Sequence, residues 1–151
     1  MKHEIIPLSL ADYQKCGNIW DMQEKPDLAA QFYRELQSGN RTTYVYMING
    51  EFIGEISTVK DSGDSDYTIP NRRLYLSRLI VKSEYRRQGI GRLLTDHVAK
   101  KAKALGYREL SVGVDLDNYA ALKLYIEAGF DKILFIGEDE YGRYVKLLKS
   151  L

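Results

Sequence analysis

The chain lacks three features that would place it in a specialised class. It has one cysteine, Cys16, in 151 residues, so it cannot form an internal disulfide, and a reducing compartment suits it. Its 22 basic and 21 acidic residues give a net charge of +1, which offers no reason to expect nucleic acid or a membrane surface as a partner. No apolar run approaches the roughly 18 residues of a membrane span, and the start of the chain has no signal-peptide core. We therefore expect a cytoplasmic protein with one domain, residues 1–151, and no nucleic-acid or membrane partner.

Metal and covalent chemistry also lack support in the sequence. No group of His, Cys and Asp residues has the spacing of a metal site, so we expect no metal. Cys16 falls in the first predicted helix, far in sequence from the other candidate functional residues. We expect a buried thiol there that acts as a small apolar side chain rather than as a nucleophile.

What the chain does contain is a succession of alternating and helical apolar patterns. These predict a mixed α/β domain in the order βααβββαβαββ. The two early helices begin after Ser9 and Asp27, which we interpret as their caps. The remaining helices cover about residues 90–105 and 119–128, the second capped by Asn118. The predicted strands are residues 2–8, 42–48, 51–59, 73–81, 109–114, 132–137 and 143–148.

Turn residues separate these elements. Asn49-Gly50 lies between two strand-like runs and predicts a hairpin with a type I′ turn. Gly39, Gly106 and Gly129 each follow a helical pattern and predict its end.

The segment after the fourth predicted strand points to a phosphate ligand. Arg86-Arg87-Gln88-Gly89-Ile90-Gly91 leads from an apolar strand into a helix. Glycines at such a junction let backbone N–H groups converge at the amino end of the helix, where the helix dipole also favours negative charge. A P-loop would need Lys-Ser/Thr after Gly91, where Arg92-Leu93 stands. A dinucleotide fingerprint would need a third glycine, where Leu94 stands.

The same hexapeptide resembles the Arg/Gln-x-x-Gly-x-Gly/Ala signature of the GNAT superfamily of N-acetyltransferases. Residues 117–130 resemble the family's second motif, in which an Asn, a small residue, a Leu-Tyr pair and a terminal Gly-Phe recur. The resemblance covers nearly the whole chain. It implies a GNAT-like mixed central sheet flanked by helices, and an enzyme that transfers an acetyl group from acetyl-CoA to an amine.

The resemblance also implies which residues hold acetyl-CoA. The backbone of the strand before the loop would bind the pantetheine arm, the loop would bind the pyrophosphate, and two residues of the second motif would complete the site. In this chain they are Leu79, Ile80, Val81, Arg86, Arg87, Gln88, Gly89, Ile90, Gly91, Arg92, Asn118 and Tyr125.

Transfer to an amine requires a proton acceptor, because an alkylammonium with a pKa near 10.4 is not nucleophilic. Many family members carry a glutamate about where Ser77 stands, and serine is not a base near neutral pH. Ser77 could order a water that relays the proton, Glu55 or Asp115 could supply a carboxylate, or bulk solvent could take the proton. For the leaving thiolate, the resemblance implies Tyr125 as the proton donor, with a core tyrosine as the alternative.

The sequence says least about the identity of the acceptor amine. The resemblance places it at the first two helices and the late strands, where aromatic and acidic residues such as Trp20 and Asp21 occur. We expect a small primary amine, such as a polyamine or amino sugar. The acidic loop 61–66 either attracts a cationic acceptor or is a plain soluble turn. The alternatives are a protein lysine or N-terminal acetyltransferase, a non-catalytic acyl-CoA sensor, and a structural domain that binds nothing. A homodimer through the late strands is also possible.

Overall fold

The computed structural model describes all 151 residues and follows the predicted order of elements. The strands are β1 His3–Pro7, β2 Arg41–Ile48, β3 Glu51–Val59, β4 Arg73–Val81, β5 Glu109–Asp115, β6 Lys132–Asp139 and β7 Gly142–Ser150. The α-helices are α1 Pro26–Ser38, α2 Ile90–Ala104 and α3 Tyr119–Glu127, and 3₁₀ helices cover Leu10–Asn18 and Ser83–Tyr85. No helix has both the length and the apolar character needed to cross a lipid bilayer.

The strands form a mixed sheet of seven, hydrogen-bonded in the order β1-β2-β3-β4-β5-β7-β6. β1 and β2 pair antiparallel, while β4 and β5 pair parallel and are joined through α2. β7 inserts between β5 and β6 and is antiparallel to both. The predicted mixed α/β class is confirmed.

The chain folds into two compact units. The first comprises Met1–Thr58 and Arg78–Leu94. Here the 3₁₀ helix Leu10–Asn18 and α1 pack on β2 and β3 through a cluster of buried apolar side chains. These are Tyr13, Cys16, Ile19, Phe32, Val45 and Phe52. The thiol of Cys16 is free and fully buried, as predicted.

The second unit comprises Val59–Ser77 and Thr95–Leu151. Its core is built from alternate residues of β5 and a buried run of β7, because both strands are interior to the sheet. Phe130, which directly follows the turn at Gly129, is fully buried in this unit.

The first predicted helix is 3₁₀ rather than α. Tyr13, Cys16 and Ile19, its buried apolar residues, recur every three positions, which is the period of a 3₁₀ helix with three residues per turn. The predicted cap is also wrong in detail. The Ser9 hydroxyl donates to a carboxylate oxygen of Asp12 at 3.3 Å and makes no hydrogen bond to the helix backbone.

The second helix begins one residue before the predicted cap. Pro26 occupies its first turn and Lys25 precedes it, because proline has the backbone φ that a helix start requires and lacks the N–H that would go unpaired there. Asp27 lies in the first turn instead, where its charge complements the helix dipole. At the end of α2, Leu105 lies beyond the last helical residue and is 73% exposed, so the helix ends one residue before its predicted end.

Turn chemistry predicted the remaining junctions correctly. Asn49 and Gly50 both have positive φ, at 51° and 84°, as a type I′ turn requires. Gly39 ends α1 in the left-handed conformation. The side-chain oxygen of Asn118 accepts a hydrogen bond from the backbone N–H of Ala121 at 3.2 Å, so it caps α3. The last two strands are each longer than predicted.

Candidate active site

The loop from β4 to α2 has the backbone of an anion site. Arg87 and Gly89 have positive φ, 64° and 82°, and these two reversals turn the chain into α2 at Ile90. The carbonyl of Gly89 accepts the backbone N–H of Leu93 at 3.1 Å, which starts the helical ladder. The N–H groups of a helix's first turn point out of its amino end, toward this loop. The predicted phosphate-binding segment therefore has the predicted strand–turn–helix form.

The side chains of this loop differ in their exposure and in the groups that they contact. Ile90 is buried, so its backbone alone faces the loop. Arg86 is exposed and its Nε donates to the carbonyl of Val81 at 2.9 Å, which braces the loop against the end of β4. Arg87, Gln88 and Arg92 are exposed. A non-glycine residue at positive φ, as at Arg87, carries backbone strain of about 1–3 kcal/mol, and such strain concentrates at ligand-binding segments.

The three strand residues before the loop lie at the end of β4. The parallel register of β4 with β5 ends at the pair Leu76–Val112, so Leu79, Ile80 and Val81 fall outside it. Ile80 packs its side chain on the apolar cluster of the first unit. A strand end outside a ladder can pair with an extended ligand through its main chain.

Glu55 is the buried carboxylate of the first unit. It lies in β3, where every residue from Phe52 to Val59 is buried, and it is itself 5% exposed. Its Oε1 makes no hydrogen bond. Burial raises the pKa of Glu55, and the opposing effects of Arg78, Arg41 and Trp20 do not cancel that rise. A carboxyl group with a raised pKa is a stronger base when ionised than an ordinary glutamate.

Two arginines and two aromatic rings surround this carboxylate. The guanidinium of Arg78 lies 4.6 Å from the ring centre of Trp20 and 5.3 Å from that of Phe32. Arg41 lies 4.1 Å from the centre of Phe32 and forms an ion pair with Glu35 at 3.5 Å. Arg78 Nε and Trp20 Nε1 are buried and meet no partner at full hydrogen-bond geometry, although Trp20 is close enough to act on Glu55 as a weak donor that lowers its pKa. Buried polar atoms without full partners are uncommon in folded proteins, so this cluster is a candidate ligand site.

Trp20 connects the charged cluster to a cavity. The cavity has a volume of about 490 Å³ and lies along the end of the first 3₁₀ helix and the turn that follows. Its lining combines apolar and polar side chains, namely Gln14, Asn18, Ile19, Trp20, Asp21, Met22 and Gln23, with Gly17. Trp20, Asp21 and Met22 belong to the region where we expected the acceptor, and the structure brings them to one cavity.

Tyr125 and Ser77 belong to the second unit. The ring of Tyr125 packs edge-on against Phe130, with centroids 5.5 Å apart, and the side chain is buried. Burial, and to a smaller extent Tyr75, raises the pKa of Tyr125, so its phenol stays protonated at neutral pH. Ser77 is half-buried in β4. Asn118 uses its side-chain oxygen as the cap of α3, which leaves the amide nitrogen as its remaining hydrogen-bonding group.

The acidic loop of the second unit binds a cation of the chain itself. Lys146 Nζ lies 2.8 Å from a carboxylate oxygen of Asp64 and 3.1 Å from one of Asp66. The same ammonium group lies 4.9 Å from the ring centre of Tyr67 and 5.1 Å from that of Phe135. These two carboxylates therefore fasten the loop to β7, and the expectation that they attract an acceptor has no support in the structure.

The sequence analysis did not identify Arg78 and Arg41 as candidate functional residues. A signal was present for Arg78, a charged residue inside the mostly apolar strand-like run 73–81. Its partners, however, lie more than 20 residues away in sequence, whereas Arg41 directly precedes a predicted strand and has Phe32 and Glu35 within ten residues. No group of three or more His, Cys, Asp or Glu side chains is placed to hold a metal ion.

Comparison with known proteins agrees with the fold. Residues 4–130 match the acetyltransferase (GNAT) family. N-acetyltransferase family 8 member 3 of Mus musculus is 30% identical over 117 residues, which cover 76% of this chain and 48% of that protein. The chain spans about half the length of this curated relative, and 30% of human N-acetyltransferase 8.

Two solved structures show the same fold. The ribosomal-protein-S18-alanine N-acetyltransferase of Escherichia coli superimposes with a TM-score of 0.78 at 20% identity, covering 99% of this chain and 94% of that one. A GNAT family acetyltransferase of Elizabethkingia anophelis with acetyl-CoA bound gives a TM-score of 0.73 at 20% identity, covering 99% and 98%. With its family match over most of its length, this chain belongs to the acetyltransferase (GNAT) family.

Proposed function

We propose that the protein is an N-acetyltransferase that moves an acetyl group from acetyl-CoA directly to a small primary amine. The observation that carries the proposal is the strand–turn–helix loop, in which Arg87 and Gly89 reverse the backbone into the start of α2. Family membership and a structural relative that binds acetyl-CoA support it. We place the reaction in the cytoplasm, where the single free cysteine would stay reduced.

Acetyl-CoA binding is assigned mainly to main-chain groups. Amides of residues 87–92 at the amino end of α2 would hold the pyrophosphate, since a helix start favours anions without needing a particular side chain. Exposed Arg87 and Arg92 would add positive charge there. The backbone of residues 79–81 would hold the pantetheine arm as an added strand. Asn118 and Tyr125 complete the set of proposed cofactor residues on the strength of their motif.

Glu55 is the proposed proton acceptor. The amine nitrogen attacks the thioester carbonyl, the carbon–sulfur bond breaks, and the proton that the nitrogen then loses balances the one that the CoA thiolate gains. Attack requires that the ammonium group first give up one proton. Glu55 is buried, its Oε1 is unpartnered, and its pKa is raised, so it is better suited to take that proton than Ser77, which could only order a water. General-base catalysis of this kind contributes roughly 10²–10⁴-fold to a rate.

Tyr125 is the proposed proton donor to the leaving thiolate, on the strength of its position in the second motif. Burial raises the pKa of Tyr125, so its phenol is protonated at neutral pH and is a weaker acid than an ordinary tyrosine. Tyr125→Phe keeps the ring that packs on Phe130 and removes the hydroxyl. We expect kcat to fall by at least about 10-fold with Tm nearly unchanged. An unchanged kcat at several pH values would assign Tyr125 to the core alone.

Two measurements on the whole chain test the function. Isothermal titration calorimetry with acetyl-CoA measures donor binding, and thiol release with a panel of amines measures transfer. We expect binding together with acceptor-dependent release of one CoA thiol per acetylated amine. Binding without release from any amine or peptide would favour the acyl-CoA sensor. Release only with peptides would favour a protein acetyltransferase, and no binding of CoA would favour a structural domain.

A homodimer through β6 is part of the proposal. β6 is an edge strand of the sheet, and Ile133, Phe135 and Ile136 on it are about half-exposed or more. An exposed apolar edge strand is a ready surface for pairing with a second copy. Light scattering at several concentrations measures the mass. Ile136→Lys should shift a dimer toward the monomer, and a monomer at all concentrations would contradict the proposal.

A further inference from the structure

The charged cluster around Glu55 has one carboxylate and one guanidinium left unmatched. Arg41 is paired with Glu35 at 3.5 Å. Neither Glu55 nor Arg78 forms an ion pair, although each contributes to the electrostatics of the other's surroundings. Glu55 is only 5% exposed. A buried carboxylate with an unpartnered oxygen is costly, so Glu55, with the half-buried guanidinium of Arg78 near it, calls for an occupant.

The guanidinium of Arg78 is fixed in orientation. It lies against the rings of both Trp20 and Phe32, at 4.6 Å and 5.3 Å from their centres. The two rings are inclined at 68° to each other, so contact with both restricts where the guanidinium can lie, while its N–H groups away from the rings are left for hydrogen bonds. Those N–H groups match the two oxygens of a carboxylate, which arginine binds in a bidentate manner. Arg78 is therefore preorganised for an anion such as a carboxylate.

The same charges disfavour a polycationic acceptor. A lone buried Glu55 would attract any amine. With the unpaired guanidinium of Arg78 beside it, however, the second positive charge of a polyamine or amino sugar would be disfavoured there, because Coulomb interactions are strong where water is excluded. A molecule with one ammonium group and one carboxylate close together would satisfy Glu55 and Arg78 at once. Such an occupant adds no net charge to the cluster.

From this arrangement we propose that the acceptor is an amino acid with a free carboxylate, its amine on Glu55 and its carboxylate on Arg78. This rests on the proposed transferase function and names its substrate class. The amino-acid side chain would extend past Trp20 into the cavity of about 490 Å³, where Ile19 and Met22 offer apolar surface and Gln14 and Gln23 offer hydrogen bonds. A cavity of this size fits a medium or large side chain.

Matched pairs of acceptors test the proposal with the wild-type protein. Thiol release would be measured with phenylalanine and phenethylamine, with lysine and cadaverine, and with each amino acid as its amide. Hydrogen bonds to charged groups contribute about 1.5–3 kcal/mol, so kcat/KM should favour the free amino acid by about 10- to 150-fold. Equal rates for the amino acid and the decarboxylated amine would overturn this proposal and leave the transferase function in place.

Variants of Arg78 test whether this arginine causes the preference for free amino acids over decarboxylated amines. Arg78→Gln should raise KM for amino acids and remove most of the difference in kcat/KM between each amino acid and its decarboxylated amine. Arg78→Lys keeps the positive charge but lacks the planar guanidinium, so it should recover part of the preference for amino acids. Arg34→Gln, which removes an exposed arginine of α1, is the control and should keep the full preference. A preference that survives Arg78→Gln in a folded variant would overturn the assignment.

Failure of the proposed function gives a different result. In that case no amine and no amino acid would release thiol, even though acetyl-CoA binds in the titration. Loss of folding in Arg78→Gln would show as a lowered Tm, and the wild-type acceptor pairs still decide the proposal, because they use no variant.

Discussion

Glu55 in the first unit and Lys146 in the second are both charged side chains of interior strands, and they are 5% and 9% exposed. Their surroundings differ. Lys146 has two carboxylates within 3.1 Å, whereas Glu55 has an unpartnered oxygen and Arg78 an unpartnered nitrogen. The Lys146 cluster is closed by its own partners. The Glu55 cluster is open, and open buried charges are what a binding site requires and a stable core avoids.

The first prediction tests the open cluster at its centre. Glu55→Gln should lower kcat/KM for acetyl transfer by roughly 10²–10⁴-fold, because it removes the proposed base. It should not lower Tm at neutral pH. The raised pKa shows that the charged form of Glu55 is disfavoured in the folded protein, and glutamine fills the same volume without the charge. Steady-state kinetics and a thermal melt measure both quantities.

The matched control for this variant comes from the closed cluster. Asp66→Asn also converts a carboxylate to an amide, but Asp66 holds Lys146 and has no proposed role in transfer. It should keep kcat/KM within about twofold of the wild type. If Glu55→Gln keeps full activity, the open cluster does not supply the base, and solvent or a water held at Ser77 takes its place.

The second prediction concerns how tightly the closed cluster is packed. The hydroxyl of Tyr67 lies in the space that a Cβ at Gly113 would occupy, and its Cζ lies 3.2 Å from that position. Tyr67 also stacks on Tyr75, with centroids 4.2 Å apart, so it has little freedom to withdraw. Gly113→Ala should therefore cost about 1–3 kcal/mol of unfolding free energy, measured by urea denaturation.

A second substitution distinguishes overpacking from a general effect of alanine. Tyr67→Phe removes the colliding hydroxyl and keeps the ring, so the double variant should recover much of the loss. Additive effects of the two substitutions would show that the contact between Gly113 and Tyr67 does not limit the packing.

The third prediction removes the cation of the closed cluster. Lys146→Met keeps most of the side-chain volume and should cost about 1–2 kcal/mol, because hydrogen bonds between charged groups are lost but Asp64 and Asp66 are part-exposed and regain water. Acetyl transfer should stay within about twofold. A double-mutant cycle with Asp64→Asn measures the coupling, and a large loss of kcat/KM would show that this cluster also serves the reaction.

How far the sequence could predict these features depends on the range of the interactions. Asn49-Gly50 and the Gly89 turn were predicted because each conformation is dictated by one or two adjacent residues. The 3₁₀ helix was mistaken for an α-helix although Tyr13, Cys16 and Ile19 carried the correct spacing. Glu55 was identified as a candidate. Its cluster was not, because Trp20, Phe32, Arg41 and Arg78 meet it only after distant segments pack, and single-sequence patterns carry no such information.

The smallest expected effect is the pH dependence of folding stability, which should have opposite signs for Glu55 in the open cluster and Asp64 in the closed cluster. Glu55 has a pKa raised above its unfolded value, so its contribution to stability is present below that value, near 4.5, and is lost as pH rises through the folded pKa. Asp64 has a lowered pKa, because Lys146 and the backbone N–H of Asp66 donate to it. Its contribution is therefore present above an unfolded value near 3.8 and is lost as pH falls.

Unfolding free energies from urea denaturation at about pH 3.5 to pH 8 measure this difference. Glu55→Gln should gain stability relative to the wild type as pH rises, while Asp64→Asn should show its deficit at neutral pH and lose it in acid. Lys146, whose pKa is raised further above neutrality, contributes equally over this range. If both variants changed in the same direction, the contrast between an open and a closed cluster would be wrong, since it requires that folding disfavours the charge of Glu55 and favours that of Asp64.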